Sequence, residues 1–292
     1  MLTSFGDIVQ KSLESVIDMP AREDAEAGDF RDEDGMLCCG VCKKPKEARI
    51  ELFGIMKTVP CACSCSMNEW DRKQAEFKER QRRERIRQLR VNGIQDDGLR
   101  DHRFEDAEMN SQMERCKYYA DHFEEFKAEN IGMIFCGPVG NGKTYAAACI
   151  ANSLIDRGIP VLMTSFPRIL NSGYEKNDLV REAQQFDLVI IDDLGTERQS
   201  EYALETVYYF LDERYKSGKP TIITTNLGKS DIENPRNMDY KRIYDRVLEM
   251  CLPMTFPARD RRKERADEKR NRAKELMKRI ADSETEGTHD KN

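Results

Sequence analysis

The sequence predicts an α/β domain with a parallel sheet flanked by helices, preceded by a small cysteine-rich module. Short apolar strands alternate with helical patterns between positions 131 and 256, which is typical of a parallel sheet covered on both faces. A glycine-rich loop follows the first of these strands. Six of the ten cysteines lie between positions 38 and 65, which indicates a separate small module.

The composition is that of a chain with a heavily charged surface. Its 292 residues allow one α/β domain and a smaller module. Charged residues make up 35% of the chain, and no apolar run approaches the roughly 20 residues that cross a bilayer, so we expect no membrane partner. The first twenty residues lack the features of a signal peptide, which makes the cytoplasm the expected location. The net charge of −6 argues against indiscriminate nucleic-acid binding but allows local basic patches.

The N-terminus has the spacing of an amphipathic helix that packs against another surface. The apolar positions of this helical face are Phe5, Ile8, Val9, Leu13, Val16 and Ile17.

The cysteine cluster predicts a structural zinc site. In a reducing compartment clustered cysteines indicate metal before disulfide, and four thiolates at about 2.3 Å form a tetrahedral Zn²⁺ site. Cys39 and Cys42 form one pair, and two of Cys61, Cys63 and Cys65 complete the set. Cys38 is expected to be a spectator. Redox chemistry, an iron–sulfur centre and unliganded thiols are the alternatives. The other four cysteines are expected to be small buried apolar residues.

Two charge runs flank the α/β region. Residues 69–90 contain nine basic and five acidic residues, and Asn92-Gly93 ends this run. Residues 259–279 contain eleven basic and five acidic residues, and the last ten or so residues are expected to be disordered. A solvated helix is the expectation for each run. Contact with a nucleic-acid backbone is the alternative. Aromatic side chains on which bases could stack are scarce, because only Trp70 and Phe77 flank the first run.

The elements of the α/β region follow in order. A helix is expected over 111–130, and a buried strand over 131–136 leads into the glycine loop. Further strands are expected over 159–164, 188–192, 221–225 and 252–256. The helices that separate them are expected over 143–157, 178–186, 200–216 and 240–250.

The glycine loop predicts a phosphate site. It reads Gly137-Pro138-Val139-Gly140-Asn141-Gly142-Lys143-Thr144 and lies between a strand and a helix, as this motif requires. Its backbone N–H groups and the helix N-terminus face the phosphates of ATP, with Tyr145 next in the chain. Lys143 is expected to reach the β- and γ-phosphates, and the Thr144 hydroxyl to bind Mg²⁺. The alternative is a chance glycine loop.

Two carboxylates end the strand over 188–192. Asp192 is expected to hold the Mg²⁺, and Asp193 to position or deprotonate the water that attacks the γ-phosphate. The alternative is a pair of capping aspartates. Asn226 ends the strand over 221–225 and is our candidate sensor of the γ-phosphate, although a turn-forming asparagine explains it equally well.

Residues 135–144, 191–198 and 223–227 resemble the DnaC/IstB-like AAA+ ATPases, and within them the helicase loaders of bacteria and phages. The resemblance covers roughly residues 100–262, and Asp-Asp-Leu-Gly-Thr-Glu at 192–197 is its most specific string. It implies a P-loop AAA+ ATPase that helps to place a hexameric replicative helicase on single-stranded DNA. It also implies DNA-contacting loops near Phe166-Pro167-Arg168. The N-terminal helical face is our candidate for the helicase contact.

The resemblance also implies two arginines that complete the site. Arg246, or else Arg242, matches an arginine finger that acts on a neighbouring subunit, and this role requires self-assembly or a related ATPase. Surface arginines are the alternative. Arg262, or else Arg261, matches a second arginine that contacts nucleotide within its own chain.

These expectations combine into one arrangement with two alternatives. We expect an N-terminal helix and zinc module over 1–68, a charged linker helix over 69–103, an AAA+ ATPase domain over 104–262 and a charged tail over 263–292. The expected function is ATP-dependent helicase loading during replication initiation. One alternative is a transposition-accessory ATPase that acts on DNA with a transposase. The other is a zinc-stabilised adaptor that uses the nucleotide as a switch and hardly hydrolyses it.

Overall fold

A computed structural model describes residues 28–52, 54–171, 176–195, 201–235, 238–257 and 261–286. The predicted N-terminal helical face and residues 196–198 of the resemblance lie outside the described residues. The chain divides into two compact units at Arg82 and Arg83. Among the described residues, none of the helices combines the length and the apolar composition that a bilayer-spanning segment requires.

The first unit contains two small antiparallel sheets. Strand β1 (Phe30–Arg31) pairs with β2 (Leu37–Cys38), and β3 (Glu47–Leu52) pairs with β4 (Ile55–Pro60) as a hairpin. Helix α1 (Ser64–Gly93) begins in this unit, and its side chains are exposed from position 66 to position 78. The helix predicted over 69–90 is present, but Ile86 and Leu89 pack against an apolar core instead of being solvated, and the helix ends at Gly93 rather than at 103. The four strands were not predicted.

The second unit is built on a five-stranded parallel sheet, as predicted. The strands are β5 (Gly132–Cys136), β6 (Val161–Ser165), β7 (Leu188–Leu194), β8 (Thr221–Thr225) and β9 (Cys251–Thr255), in the spatial order β6-β7-β8-β5-β9. Pro253 lies in β9, where the edge position tolerates a residue without a backbone N–H.

Helices cover both faces of the sheet. They are α2 (Ser111–Asp121), α3 (Phe123–Ala128), α4 (Lys143–Asp156), α5 (Phe166–Asn171), α6 (Lys176–Gln184), α7 (Glu201–Lys216), α8 (Lys229–Glu233), α9 (Met238–Met250) and α10 (Arg261–Glu286). Along β5, Met133 and Phe135 enter one apolar core, and Ile134 and Cys136 enter the other. This alternation gives a sheet buried on both faces.

Two expectations about these elements were wrong. The helix predicted over 111–130 is two helices, because the chain leaves helical geometry at His122, which ends α2 and precedes α3. Phe166 and the two residues after it form the first turn of α5 rather than a loop, and Phe166 is fully buried against Phe210. The charged tail is helical from Arg261 to Glu286, and the disorder expected at the end of the chain stays a prediction, because residues 287–292 lie outside the described residues.

Candidate active site and metal centre

The glycine loop joins β5 to α4 in a conformation that requires glycine. Gly137, Gly140 and Gly142 have φ angles of 132°, 87° and 92°, which side chains rarely adopt. A Cβ atom at Gly137 would also lie 2.6 Å from the carbonyl oxygen of Phe256. The Gly137 N–H donates to the carbonyl of Leu227 at 3.0 Å, so the loop is tied to the end of β8.

Lys143 is the first residue of α4, and its side chain is buried in the loop. Its ammonium donates to four oxygens: Gly137 O and Pro138 O at 2.8 Å, and Asn141 Oδ1 and Asn226 Oδ1 at 3.0 Å. Asn141 is itself buried and donates to the Phe256 carbonyl at 3.2 Å. A buried cation at a helix N-terminus is an arrangement that suits phosphate.

Thr144 and Asp192 meet at the carboxyl end of the sheet. The Thr144 hydroxyl donates to the two Asp192 oxygens at 2.9 and 3.2 Å. Neighbouring oxygen ligands of octahedral Mg²⁺, at 2.0–2.1 Å from the ion, are about 2.9 Å apart, so this oxygen pair fits a magnesium site. Thr224 on β8 donates to Asp192 Oδ1 at 2.6 Å and accepts the backbone N–H of Asp193 at 3.0 Å. Thr224 was not predicted as a site residue, although a hydroxyl near the carboxyl end of a fully buried strand was a signal.

Asp193 has a left-handed backbone, and its side chain has a different partner from that of Asp192. Its φ is +58°, and the pairing of β7 with β8 shifts register between Ile191 and Leu194. The amide of Asn226 donates to Asp193 Oδ1 at 3.3 Å and accepts from Lys143. Asn226 therefore connects the buried lysine to the second carboxylate.

Burial raises the pKa of the Asp192 carboxyl above its ordinary value. The neighbouring Asp193 also raises it, while hydrogen bonds from Thr224 and Thr144 act in the opposite direction. A divalent cation favours the ionised form of a carboxylate. The ionised Asp192 carboxylate is therefore destabilised in the folded protein unless a bound cation compensates its charge.

A cleft of about 440 Å³ lies beside these residues. Val139, Gly140, Asn141, Gly142, Lys143, Thr144, Tyr145, Asp193 and Asn226 are among its lining residues. Residues 139–145, Asp193 and Asn226 therefore share one cavity, which is large enough for a nucleotide, whereas Gly137, Pro138 and Asp192 are not among its lining residues.

The other side of the cleft was not predicted from the sequence. Leu99, His102, Asp106, Ala107 and Glu108 line it, together with Glu264 and Glu268 of α10. The rings of His102 and Tyr145 are 4.6 Å apart, and the Tyr145 hydroxyl donates to the Arg103 carbonyl at 3.2 Å. The segment before α2 is thus attached to α4 beside the glycine loop. This segment contains no recognisable nucleotide-binding motif, so its place beside the cleft could not be predicted from the sequence.

The structure tests the two predicted arginines only in part. Arg246 on α9 does not line the cleft; it pairs with Asp212 at 2.8 Å and lies 4.3 Å from the centre of the Tyr215 ring. Arg242, one turn earlier, is exposed. Arg262 is in the first turn of α10, and its side chain is outside the described residues. The finger role depends on a neighbouring subunit and stays a prediction.

In the first unit, Cys39, Cys42, Cys63 and Cys65 come together. Their sulfur atoms all lie within 4.8 Å of one another, and three of the separations are 3.2, 3.3 and 3.6 Å. A tetrahedral Zn²⁺ with 2.3 Å bonds has sulfur atoms about 3.8 Å apart, so the four thiols fit this metal. Cys61 is outside the group, exposed, with its thiol 3.6 Å from the Pro45 carbonyl.

Backbone geometry explains the turn that carries the first pair. A Cβ atom at Gly40 would lie 2.1 Å from the Gly28 carbonyl oxygen, so only glycine fits this close approach. The Gly40 N–H donates to Asp29 at 2.9 Å, and Asp29 also forms a buried ion pair with Lys46 at 2.6 Å. Cys38 is buried near Asp32 and does not join the four thiols.

Backbone N–H groups aim at two of these sulfurs. The N–H of Lys44 is the main cause that lowers the pKa of Cys42 to about 5, and the N–H groups of Cys42 and Val41 lower the pKa of Cys39. The pKa of Cys65 is raised to about 12, chiefly because its thiol hydrogen bonds to Cys63. The turn thus favours thiolates, which are the form of cysteine that binds metal.

Comparison with known proteins agrees with this geometry. The family described as IstB-like ATP binding protein matches residues 71–251, more than half of the chain. The chain is 30% identical over 149 residues to the replicative helicase loader DnaC of Escherichia coli K12, which covers 48% of this chain and 60% of that protein. It is 26% identical to the DnaC of Buchnera aphidicola from Acyrthosiphon pisum, over 51% of this chain and 63% of that protein.

The matched region thus spans less than two thirds of these curated relatives. Among solved structures, a crystal structure of DnaI is 21% identical, with a TM-score of 0.47, over 58% of this chain and 96% of that chain.

The parallel sheet and the glycine loop with its two strand ends define a P-loop ATP-binding domain of the AAA+ class. The chain belongs to the family of IstB-like ATP-binding proteins.

Proposed function

We propose that this protein is an ATPase that loads a hexameric replicative helicase onto single-stranded DNA during replication initiation. The observation that carries the ATPase part is the hydrogen-bonded set at the sheet edge: Thr144 with Asp192, and Lys143 with Asn226 and Asp193. The loading part is supported by the similarity to proteins named as replicative helicase loaders, which covers about half of the chain.

In this proposal the glycine loop binds the phosphates of ATP. The N–H groups of the loop and the N-terminus of α4 face the anion, and Lys143 exchanges its loop carbonyls for phosphate oxygens. The Thr144 hydroxyl and the Asp192 carboxylate hold Mg²⁺, which neutralises charge on the β- and γ-phosphates. Tyr145 and the segment over 99–107 place the rest of the nucleotide in the cleft.

Asp193 acts on the attacking water. It follows Asp192 in the strand, and its left-handed backbone gives its carboxylate a separate direction. The carboxylate accepts a proton from the water or orients it, and Asn226 contacts both this carboxylate and Lys143. Asn226 can therefore sense the γ-phosphate through Lys143 and the attacking water through Asp193. An arginine finger from a neighbouring copy, with Arg246 the first candidate, completes the charge stabilisation.

The cysteine cluster holds a structural Zn²⁺ through Cys39, Cys42, Cys63 and Cys65. Among its described residues the unit has few buried apolar side chains, so metal binding contributes to its folding. We place the zinc module, the charged helix, the ATPase domain and the tail at the boundaries given above.

Pull-down with the replicative helicase, with and without ATP, tests the loading part. We expect a stable complex in ATP and transfer of the helicase onto single-stranded DNA. Absence of a complex in ATP would refute the loader function. Binding to a transposase and to duplex DNA in the same assay would favour the transposition-accessory alternative.

A further inference from the structure

The part of α1 that lies in the first unit carries an exposed stripe of aromatic and amide side chains. Residues 66–78 and 80–82 of this helix are exposed, which leaves the whole stripe open to solvent. Trp70 and Phe77 are 59% and 56% exposed, far more than rings in a packed core. The stripe consists of Met67, Trp70, Gln74, Phe77 and Gln81, and we call it the α1 stripe.

Helical spacing places these five residues along one side. Steps of three and four residues keep side chains on one face, and residues seven apart are about 10 Å apart along the axis. That distance is about three times the ~3.4 Å rise between stacked bases, so the rings of Trp70 and Phe77 can meet different nucleotides. Gln74 lies between them with an amide that can donate to and accept from base edges.

Basic residues border the stripe on both sides, and Asp71 is an acidic neighbour on the flank of Lys78. Lys73 and Arg80 lie on one flank, and Lys78 lies on the other. Lys73 pairs with Glu69 at 2.7 Å. In the described part of the chain, no carboxylate pairs with Lys78 or Arg80. Two unpaired cations beside exposed rings favour an occupant that carries negative charge.

We infer that the α1 stripe binds single-stranded DNA, with bases stacked on Trp70 and Phe77 and phosphates next to Lys78 and Arg80. Aromatic platforms beside cations are how proteins bind single strands without sequence preference. This inference deepens the proposed function, in which single-stranded DNA is a partner, and assigns that partner a contact outside the ATP cleft.

Other occupants fit less well. A second copy paired along the same helix would place Lys73 against Lys78, which are like charges at flanking heptad positions. An acidic helix of another protein would meet Gln74 and Gln81, where a helix–helix seam carries apolar residues. Both amides suit the polar edge of a base.

Trp70 makes the inference directly measurable because it is the only tryptophan in the chain. The experiment titrates the full-length, zinc-loaded protein with a 20-nucleotide oligo-dT and follows tryptophan fluorescence, without nucleotide and without helicase. We expect saturable quenching from base stacking. Phe77→Ala should weaken the affinity roughly 5- to 100-fold, and Phe77→Tyr should retain it.

Arg80 flanks the stripe and Arg72 lies on the opposite face of α1, so the two arginines provide matched variants with the same charge change. Arg80→Gln should lower the slope of log K against log salt by about 0.7, the value of one phosphate contact on a single strand. Arg72→Gln should leave the slope unchanged, since Arg72 points away from the stripe. Lys143→Ala should keep full quenching, so this inference and the proposed ATPase can fail separately.

Four results would overturn the inference. The first is salt-sensitive oligo-dT binding without quenching. The second is an equal effect of Arg72→Gln and Arg80→Gln. The third is quenching by poly-glutamate but not by oligo-dT, which would indicate an acidic protein partner. The fourth is a concentration-dependent dimer that buries Trp70.

Discussion

The ATP cleft and the cysteine cluster both gather polar groups from distant positions, yet different forces hold them. The cleft lies at the ends of β5, β7 and β8, whose apolar residues such as Ile134, Ile190 and Ile223 are fully buried. The cluster rests on short strands, and its buried apolar side chains are Leu37 and three cysteines among the residues described in that unit.

The two sites therefore differ in what holds their side chains in position. Packing on both faces of the sheet positions Lys143 and Asp192 to within a hydrogen bond of their partners. The first unit has two buried polar interactions, the ion pair of Lys46 with Asp29 and the hydrogen bond from the Leu37 N–H to Glu47. Neither buries much apolar surface. We therefore expect the cleft to be preformed and the cluster to depend on metal.

Zinc removal should give the largest effect. Structural zinc contributes about 10–16 kcal/mol in small metal modules, so a strong chelator should unfold the first unit. Limited proteolysis and circular dichroism, with zinc content measured in parallel, report the loss. The ATP affinity of the second unit should stay within about twofold. If chelation abolished ATP binding as well as the fold of the first unit, the contrast between the two sites would be wrong.

Lys143→Ala should lower ATP turnover by about 100-fold or more. The buried ammonium is the main positive charge of the glycine loop, and losing one preorganised donor costs about 10²–10³ in rate. Steady-state phosphate release measures the change. The matched control is Lys219→Ala, a lysine at the opposite end of the sheet region that pairs with Asp187. Loss of zinc from the Lys143 variant would contradict the independence of the two units.

Asp192→Asn should stabilise the folded protein by about 1 kcal/mol at neutral pH while removing magnesium-dependent nucleotide binding. Burial raises the pKa of this carboxyl in the folded state, so its ionised form opposes folding above that pKa. The gain should shrink as pH falls through the raised pKa, where wild-type Asp192 takes up a proton. Denaturant unfolding of both proteins at several pH values, without Mg²⁺, checks the sign.

Cys61→Ser should have the smallest effect. Cys61 is exposed and lies outside the four-thiol group, so this variant should keep about one zinc per chain. Cys63→Ser should fall below about half a zinc per chain in the same metal analysis. The reverse order would show that the second pair of ligands is misassigned.

More of the second unit than of the first was predicted from the sequence. The five strands were predicted nearly to the residue because buried parallel strands are continuous apolar runs, as in 188–191. The glycine loop and the two aspartates follow spacing rules that the sequence displays directly. Thr224 and the segment with His102 were missed because their roles depend on which elements lie side by side, and a single sequence does not show this.

The first unit shows the same limit more strongly. The spacing of Cys61, Cys63 and Cys65 left the ligand choice open, and only the turn into α1 separates Cys61 from the others. In the hairpin, Glu47–Leu52 of β3 alternates polar and apolar residues, which is a strand signal that the prediction did not use. The break at His122 was hidden because apolar spacing continues across it from Tyr119 to Phe126.

ATP turnover of Asp193→Asn tests the central claim most directly. The measurement compares wild type, Asp193→Asn and the matched variant Asp231→Asn, which changes an aspartate of α8 outside the cleft. ATP affinity is measured on the same samples. We predict that Asp193→Asn binds ATP with near wild-type affinity but hydrolyses it about 100-fold more slowly, while Asp231→Asn keeps its rate. An unchanged rate in Asp193→Asn would contradict the assignment of this cleft as a hydrolytic site.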